Sequence, residues 1–324
     1  MTKVIPLKDL IQVYSEYSKS IIWDNEPIEL YQAFDHILKQ EGKKMRPISL
    51  LLCYSLFKDD LGSCLEAAYG FELFHNFTLI HDDIMDKAET RRGKLTVHKL
   101  FGEEMAILSG DTMLLESCRY LIKSTNSVEV LEYFLNIGVL VCKGQTYDLN
   151  YEKRDLISIP EYLNMISLKT SVLLAAAMKI GTQLANQNTH VQDQFYNLGI
   201  ELGLAFQIQD DYFDLYGNEA AFGKKIGGDL IQRKKTILIL KAIEKLSPAD
   251  QQIFIEHYHS VRSETEQIRY YTNYFDQNNI RTEVQEMLEQ YKSSCSSMID
   301  EMNIENVQKD LLKEFAGTIL ERKN

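Results

Sequence analysis

Two stretches of this chain repeat one carboxylate spacing. Asp82-Asp83-x-x-Asp86 and Asp210-Asp211-x-x-Asp214 each follow a long apolar run. Residues three and four apart share a helix face, so Asp82 and Asp86 stack one turn apart. Asp83 lies close enough to Asp86 to share a ligand. Repelling carboxylates at the end of an apolar helix make poor structural sense without a cation between them, and oxygen-only ligation points to Mg²⁺. One such motif alone could be a solvated helix end. Two copies suggest two helices facing each other across a metal-filled cavity.

Basic residues accompany both motifs. Arg91-Arg92-Gly93 follows the first, and Gly42-Lys43-Lys44-Met45-Arg46-Pro47 precedes an apolar run to Phe57. Pro47 is tolerated in a first helical turn, which sets Lys43, Lys44 and Arg46 near the positive end of a helix, suited to phosphate. Lys169-Thr170-Ser171 falls inside a helix opened by Pro160, and a basic loop, Phe222 to Asp229, leads to Lys234-Lys235-Thr236. Carboxylates do not bind diphosphates directly, but Mg²⁺ between them does. Lys43, Arg46, Arg91, Arg92, Lys169, Lys224 and Lys234 can take the remaining phosphate oxygens, with Arg suited to bidentate contact. Apolar helices around such a site imply a hydrophobic body on a diphosphate head, and hence ionisation of an allylic diphosphate.

The elements that must position these residues are helical. Apolar positions recur at helical spacing from Leu7 to about Trp23 and from Ile28 to Leu38. Residues 64–88 form the helix that carries the first motif, and 91–102 a loop or short helix at the cavity mouth. Helices follow at about 104–123 and 127–151, and Val191 to Tyr216 carries the second motif. Gly199 and Gly203 inside that helix cost about 1 kcal/mol each against alanine; close helix packing or room for a ligand would explain them. Gly217 ends the helix, and Ser247-Pro248-Ala249-Asp250 starts another. The last third is helical and charged without a motif. No series of period-two strands and no composition break is present, so a single all-α domain over 1–324 is expected.

Composition narrows the function. Of 324 residues, 45% are hydrophobic and 25% charged, an ordinary globular balance. The net charge of −12 disfavours a nucleic-acid partner. Five cysteines at 53, 64, 118, 142 and 295 form no Cys-x-x-Cys pair and suit small buried residues in a reducing compartment. No signal peptide and no apolar run of membrane-span length is apparent, so a soluble cytoplasmic protein is expected.

Taken in order, these motifs resemble the trans-isoprenyl diphosphate synthases, or polyprenyl synthetases. The matches run from Gly42 to Thr236: Gly-Lys-x-x-Arg-Pro at 42–47, Asp-Asp-x-x-Asp at 82–86 with Arg91-Arg92-Gly93, and Lys169-Thr170. They continue with Gln207-Ile208-x-Asp-Asp-x-x-Asp and Gly-Lys-x-x-Gly-Gly-Asp-x-x-x-x-Lys-x-Thr at 223–236. Leu95 departs from the proline usual after Arg-Arg-Gly-x, a change expected to affect only loop stiffness. The resemblance implies an isoprenoid synthase type I fold, a bundle of antiparallel helices around a deep central cavity, in a homodimer. It implies a trinuclear Mg²⁺ cluster on Asp82, Asp86 and Asp210, with Asp83, Asp211 and Asp214 supporting. By the same resemblance Arg91, Lys169 and Lys224 grip the allylic diphosphate, with Lys234 nearby, and Lys43, Arg46, His75 and Arg92 bind isopentenyl diphosphate. The Lys169 carbonyl, Thr170 and Gln207 face the allylic cation, and the released diphosphate removes the proton. His81 and His98 are read as structural.

Product length has its own signal. Stepping back by fours from Asp86 and Asp82 reaches Thr78 and then Phe74, about two turns or 11 Å below the metals. Thr78 is too small to stop a growing chain, whereas Phe74 could stop it. In the family, an aromatic only at the fifth residue before the first aspartate, as Phe77 is here, looks like a geranylgeranyl maker. The helical wheel and the family pattern disagree on which Phe matters, yet both favour a twenty-carbon product over the fifteen-carbon farnesyl alternative. A class I terpene cyclase and a non-catalytic synthase subunit are the rival readings. A cyclase normally carries a different second metal motif, and a regulatory subunit tends to lose aspartates that this chain keeps.

Overall fold

Caps and apolar spacing decide where the helices start. A computed structural model describes residues 4–40, 42–217, 226–260 and 263–320. Helices α1 (Leu7–Ser20), α2 (Ile28–Leu38), α3 (Met45–Ser55) and α4 (Gly62–Met85) lead to a hairpin of β1 (Thr90–Arg91) and β2 (Lys94–Leu95). Then come α5 (Val97–Phe101), α6 (Glu103–Ser124), α7 (Val128–Glu152), α8 (Ile159–Ile166), a π-turn (Ser167–Ser171) and α9 (Val172–Leu184). Helices α10 (Thr189–Tyr216), α11 (Gly228–Ile231), α12 (Ile237–Glu244), α13 (Pro248–His259), α14 (Glu264–Gln277), α15 (Ile280–Glu301) and α16 (Asn306–Leu320) complete the described chain. The architecture is all-α, as expected. Ser158 caps α8 in a capping box with Glu161, and Ser247 caps α13 ahead of Pro248.

The chain forms two compact units. One comprises Met1–Leu135, Ala176–Tyr196 and Ile304–Phe315; the other comprises Asn136–Ala175, Asn197–Asn303 and Ala316–Asn324. In the first, α4 lies along α6, with α3 and α1 against it. Phe71, Phe74 and Phe134 pack edge to face there. In the second, the core gathers around Ile208, Ile237, Tyr271, Phe275, Ile280 and Val284.

Four local features differ from the sequence reading. Helix α1 stops at Ser20, and Trp23 instead stacks on Tyr31 and donates its indole N–H to Tyr69 Oη at 3.0 Å. The stretch expected as a loop or short helix holds both a hairpin, at 90–95, and the short helix α5. Arg92 (φ 52°) and Gly93 (φ 75°) are both left-handed, the geometry of a two-residue turn whose twist matches its strands. Leu95 ends β2, and its carbonyl lies 2.7 Å from His36 Nε2.

The helix expected to carry Lys169 and Thr170 in its interior is broken there by the π-turn, which takes those carbonyls out of the regular i→i+4 ladder. Finally, the helical stretch Ile159–Leu184 does reach membrane-span length and apolarity, against expectation, but 61% of its apolar window is buried within the protein. Core packing accounts for that composition.

Candidate active site

In the first unit, the aspartate motif closes α4. Asp82 is half-buried in the last turn, and Asp86 is exposed at the C-cap. Asp83 does not turn toward Asp86. It is buried, and its two carboxylate oxygens accept from Arg91 Nε at 2.9 Å each, with Arg91 Nη2 2.8 Å from Oδ1. That bidentate fork ties the hairpin to the helix. In its last turns α4 leaves His75, Thr78, Leu79, His81, Asp82 and Ile84 half-buried and Met85 exposed.

A cationic cluster faces the same helix from the start of α3 and from the β1–β2 turn. Lys44, the N-cap of α3, adopts φ 47° and donates to Glu72 Oε1 at 2.8 Å. Lys43 is exposed, whereas Arg46 is half-buried and its guanidinium is pushed down to about 10, chiefly by burial. It therefore stays charged at neutral pH. Arg92 is held against Gly42, where an added Cβ would meet its Nη1 at 2.9 Å. His75 is held neutral: burial, then Arg46, Arg92, Lys44 and Arg91, drives its pKa well below the usual value. A neutral imidazole among cations can donate or accept a hydrogen bond at an anion without adding charge.

Phe74 and Phe77 do not compete for one role. Phe74 is 1% exposed, and its ring meets Phe77 at 5.0 Å and Phe134 at 5.3 Å, both edge-on. The wheel and the family pattern therefore point at two rings of one aromatic wall, backed by Phe134, which the sequence reading did not find. Thr78 donates to the His75 carbonyl at 2.7 Å.

The second unit holds a cleft with about 180 Å³ open to water-sized molecules. Asp210, Asp211 and Asp214 line it from α10, Lys169 and Thr170 from the π-turn, and Lys234 from the segment after α11. Phe213, Met165, Ile166, Ile157 and Ile226 supply its apolar wall. Asp211 is buried and accepts from Tyr162 Oη at 2.6 Å, Gln207 Nε2 at 3.1 Å and Ile237 N at 3.2 Å. Burial first, then the charge of Asp229, raises its pKa. Gln207 in turn accepts from Thr170 Oγ1 at 3.2 Å. This chain of bonds fixes the amide and hydroxyl oxygens that face the cleft.

Asp214 Oδ2 accepts from Asp229 N at 3.0 Å, and its carbonyl accepts from Gly227 N at 2.7 Å. The Gly-Gly-Asp segment is thus a backbone clasp for the motif. Lys169 Nζ lies 2.6 Å from Asp148 Oδ2, and Lys234 Nζ lies 3.4 Å from Asp229 Oδ1. Lys224 lies outside the described residues.

Asp148, Tyr162 and Arg233 also line the cleft and were missed. Asp148 and Tyr162 sit in ordinary amphipathic runs, and only tertiary packing turns them inward. Arg233 takes φ 59°, a conformation no sequence signal announces for arginine. The glycines of α10 are explained by close approach: a Cβ on Gly203 would sit 2.5 Å from Ser171 Cα, and one on Gly199 would strike Ala175 backbone.

The donor set suits Mg²⁺. Among the described residues no three His, Cys, Asp or Glu side chains converge as a ready-made metal cage. Mg²⁺ does not need one, because it keeps several waters and binds through one or two carboxylates plus substrate phosphates. Carboxylate oxygens of that kind are present in each unit, on Asp82 and Asp86 in one and on Asp210 and Asp214 in the other, while Asp83 and Asp211 are buried against protein donors.

Comparison with known proteins agrees with this chemistry. The polyprenyl synthetase family profile matches residues 27–275. A geranylgeranyl pyrophosphate synthase of Geoglobus acetivorans is 38% identical over 243 residues, 74% of this chain and 76% of that protein. A short chain isoprenyl diphosphate synthase of Methanocaldococcus jannaschii is 38% identical over 252 residues, covering 77% and 76%. A geranylgeranyl pyrophosphate synthase crystal structure superposes with TM-score 0.92 at 36% identity, covering 99% of this chain and all of the other. With that profile matched over most of its length, two acidic motifs, a cationic turn and an oxygen-lined apolar cleft, the chain belongs to the polyprenyl synthetase family and is a prenyltransferase.

Proposed function

We propose that this enzyme condenses isopentenyl diphosphate with an allylic diphosphate and releases geranylgeranyl diphosphate. The observation that carries this reading is the cleft of the second unit, where Asp210, Asp214, Lys169 and Lys234 share one space with an apolar wall. A diphosphate head and a hydrocarbon tail need that pairing. Asp82, Asp86 and Asp210 would hold the Mg²⁺ of the expected trinuclear cluster, with Asp214 in support and Asp83 and Asp211 as braces. When bound, the metal ions offset the charge of the departing diphosphate. Lys169 and Lys234, with Arg91 and Lys224, hold the allylic phosphate oxygens. Thr170 and Gln207 present fixed oxygen dipoles to the developing cation without a competent nucleophile. Lys43, Arg46, Arg92 and neutral His75 receive isopentenyl diphosphate, and the apolar wall excludes water from the cation.

Product length follows from the aromatic wall. Thr78 leaves room one turn below Asp82, and Phe77, backed by Phe74 and Phe134, closes the space beyond. The family match draws on residues of both compact units, which supports one catalytic domain. A homodimer is favoured by α6, where Leu108, Leu115 and Ile122 recur every seven residues at 56%, 66% and 48% exposure, a coiled-coil seam in search of a partner.

The test is a product chromatogram from purified protein, Mg²⁺ and labelled isopentenyl diphosphate with dimethylallyl, geranyl or farnesyl diphosphate. A twenty-carbon diphosphate is expected, and Asp210→Ala should cut turnover about a hundredfold or more. A hydrocarbon from an allylic diphosphate alone would instead identify a cyclase. No condensation until a second protein is added would identify a regulatory subunit.

A further inference from the structure

Beneath the cationic turn lies a carboxylate that the reaction does not require. Glu72, on α4, is 3% exposed. Its Oε1 accepts from Lys44 Nζ at 2.8 Å and from Asn76 Nδ2 at 2.8 Å, and Asn76 also donates to the Glu72 carbonyl at 2.7 Å. Around it, Glu72 Oε2, Asn76 Oδ1, Arg46 Nε and Tyr14 Oη are all buried without a hydrogen-bond partner among the described residues. The carboxylate charge raises the Arg46 and Arg92 guanidinium pKa values, opposing the effect of burial.

A buried ion pair is weak evidence of a stabilising role, since apolar residues of equal volume often serve as well. What Glu72 does supply is a fixed anchor. Lys44 sits at φ 47°, a left-handed conformation that a residue with a Cβ resists. The carboxylate pins the Lys44 side chain and so the turn that presents Lys43 on one side and Arg46 on the other.

We propose that Glu72 is the positioning residue of the Lys43–Arg46 turn, and that its anchoring of Lys44 sets the affinity of this turn for a non-allylic diphosphate. The proposal rests on the reading of that turn as the isopentenyl diphosphate site. Two roles of the carboxylate make opposite predictions. As a bare negative charge beside an anion site, it opposes diphosphate binding, and its neutralisation would tighten binding. As an anchor, its neutralisation lets the turn relax and binding weakens.

Glu72→Gln keeps the shape and removes the charge. In steady-state kinetics with Mg²⁺, its KM for isopentenyl diphosphate should rise about tenfold or more, while kcat and the KM for the allylic diphosphate stay within about twofold, the pattern of a lost binding contact. Glu72→Asp keeps the charge but draws the carboxylate back from Lys44, and should raise the same KM selectively, so the test stands even if Glu72→Gln fails to fold. An isopentenyl KM that is unchanged or lower in the folded variant, or in Glu72→Asp alone if only that one folds, would overturn the proposal. So would both KM values moving together. Wild-type protein that condenses nothing would sink the underlying reading instead. Calorimetry with inorganic pyrophosphate then decides the anchor by itself: weaker binding in the variants supports it, and equal or tighter binding overturns it.

Discussion

His75 carries a titration that stability measurements can read. Its pKa is depressed in the folded chain below the ordinary 6.5 by burial and by four neighbouring cations. Between the folded and unfolded pKa values the unfolded chain binds more protons, so stability rises with pH there. The contribution is complete above about pH 6.5 and is lost as pH falls below it. Thermal melts of wild type and His75→Gln from pH 7.5 to 5.5 should diverge only at the acid end, where the variant loses less. Parallel melting curves would mean that His75 is solvated and titrates normally. At the same scale, residues of one motif part company. Asp82 is half-buried and Asp86 exposed, whereas Asp83 is buried against Arg91. Identical residue types at regular spacing therefore meet different surroundings, which only packing decides.

Among the elements, the π-turn and α10 act as one device. Gly203 lets α10 approach Ser171, one residue past Thr170. An alanine there meets backbone, which cannot swing aside. Gly203→Ala should destabilise by about 1–3 kcal/mol, despite a helix-propensity gain of about 1 kcal/mol. Because Thr170 bonds Gln207 from that turn, kcat should fall even where the variant remains folded. Denaturant melts and turnover on the same preparation check both.

On α4, the aromatic wall separates product length from stability. Phe77→Ala should shift products beyond twenty carbons. Phe74→Ala should cost about 3–5 kcal/mol, because it empties a fully packed site, and lengthen the product only if the cavity opens toward Phe77. If neither variant makes longer chains, the length stop lies on another helix.

For the whole molecule, the proposed second copy on α6 can be tested directly. Leu115 is 66% exposed in the middle of the seven-residue stripe. Leu115→Glu sets a charge where an apolar seam would be desolvated. Sedimentation should show a dimer for wild type and a monomer for the variant, with the helical signal retained. A wild-type monomer would remove the homodimer from the reading. The acidic net charge of −12 makes the local Lys43, Lys44, Arg46 and Arg92 cluster an exception on this chain, which is what an anion site on an acidic protein requires.

The chain by itself determined the helical class, most helix boundaries to within a few residues, both aspartate motifs and the cationic turn. These depend on periodicity, caps and spacing, all local along the chain. Helix α2 begins and ends where its apolar spacing predicts. Partnerships between segments could not be read the same way. Asp148 beneath Lys169, Tyr162 on Asp211 and Phe134 behind Phe74 join residues 21, 49 and 60 apart, and no local pattern encodes such pairs. Tertiary packing also decided that Arg92 and Gly93 make a hairpin turn and that Lys169 rides on a π-turn. Backbone conformations of that kind are selected by what the neighbouring elements demand, not by the residues' own preferences.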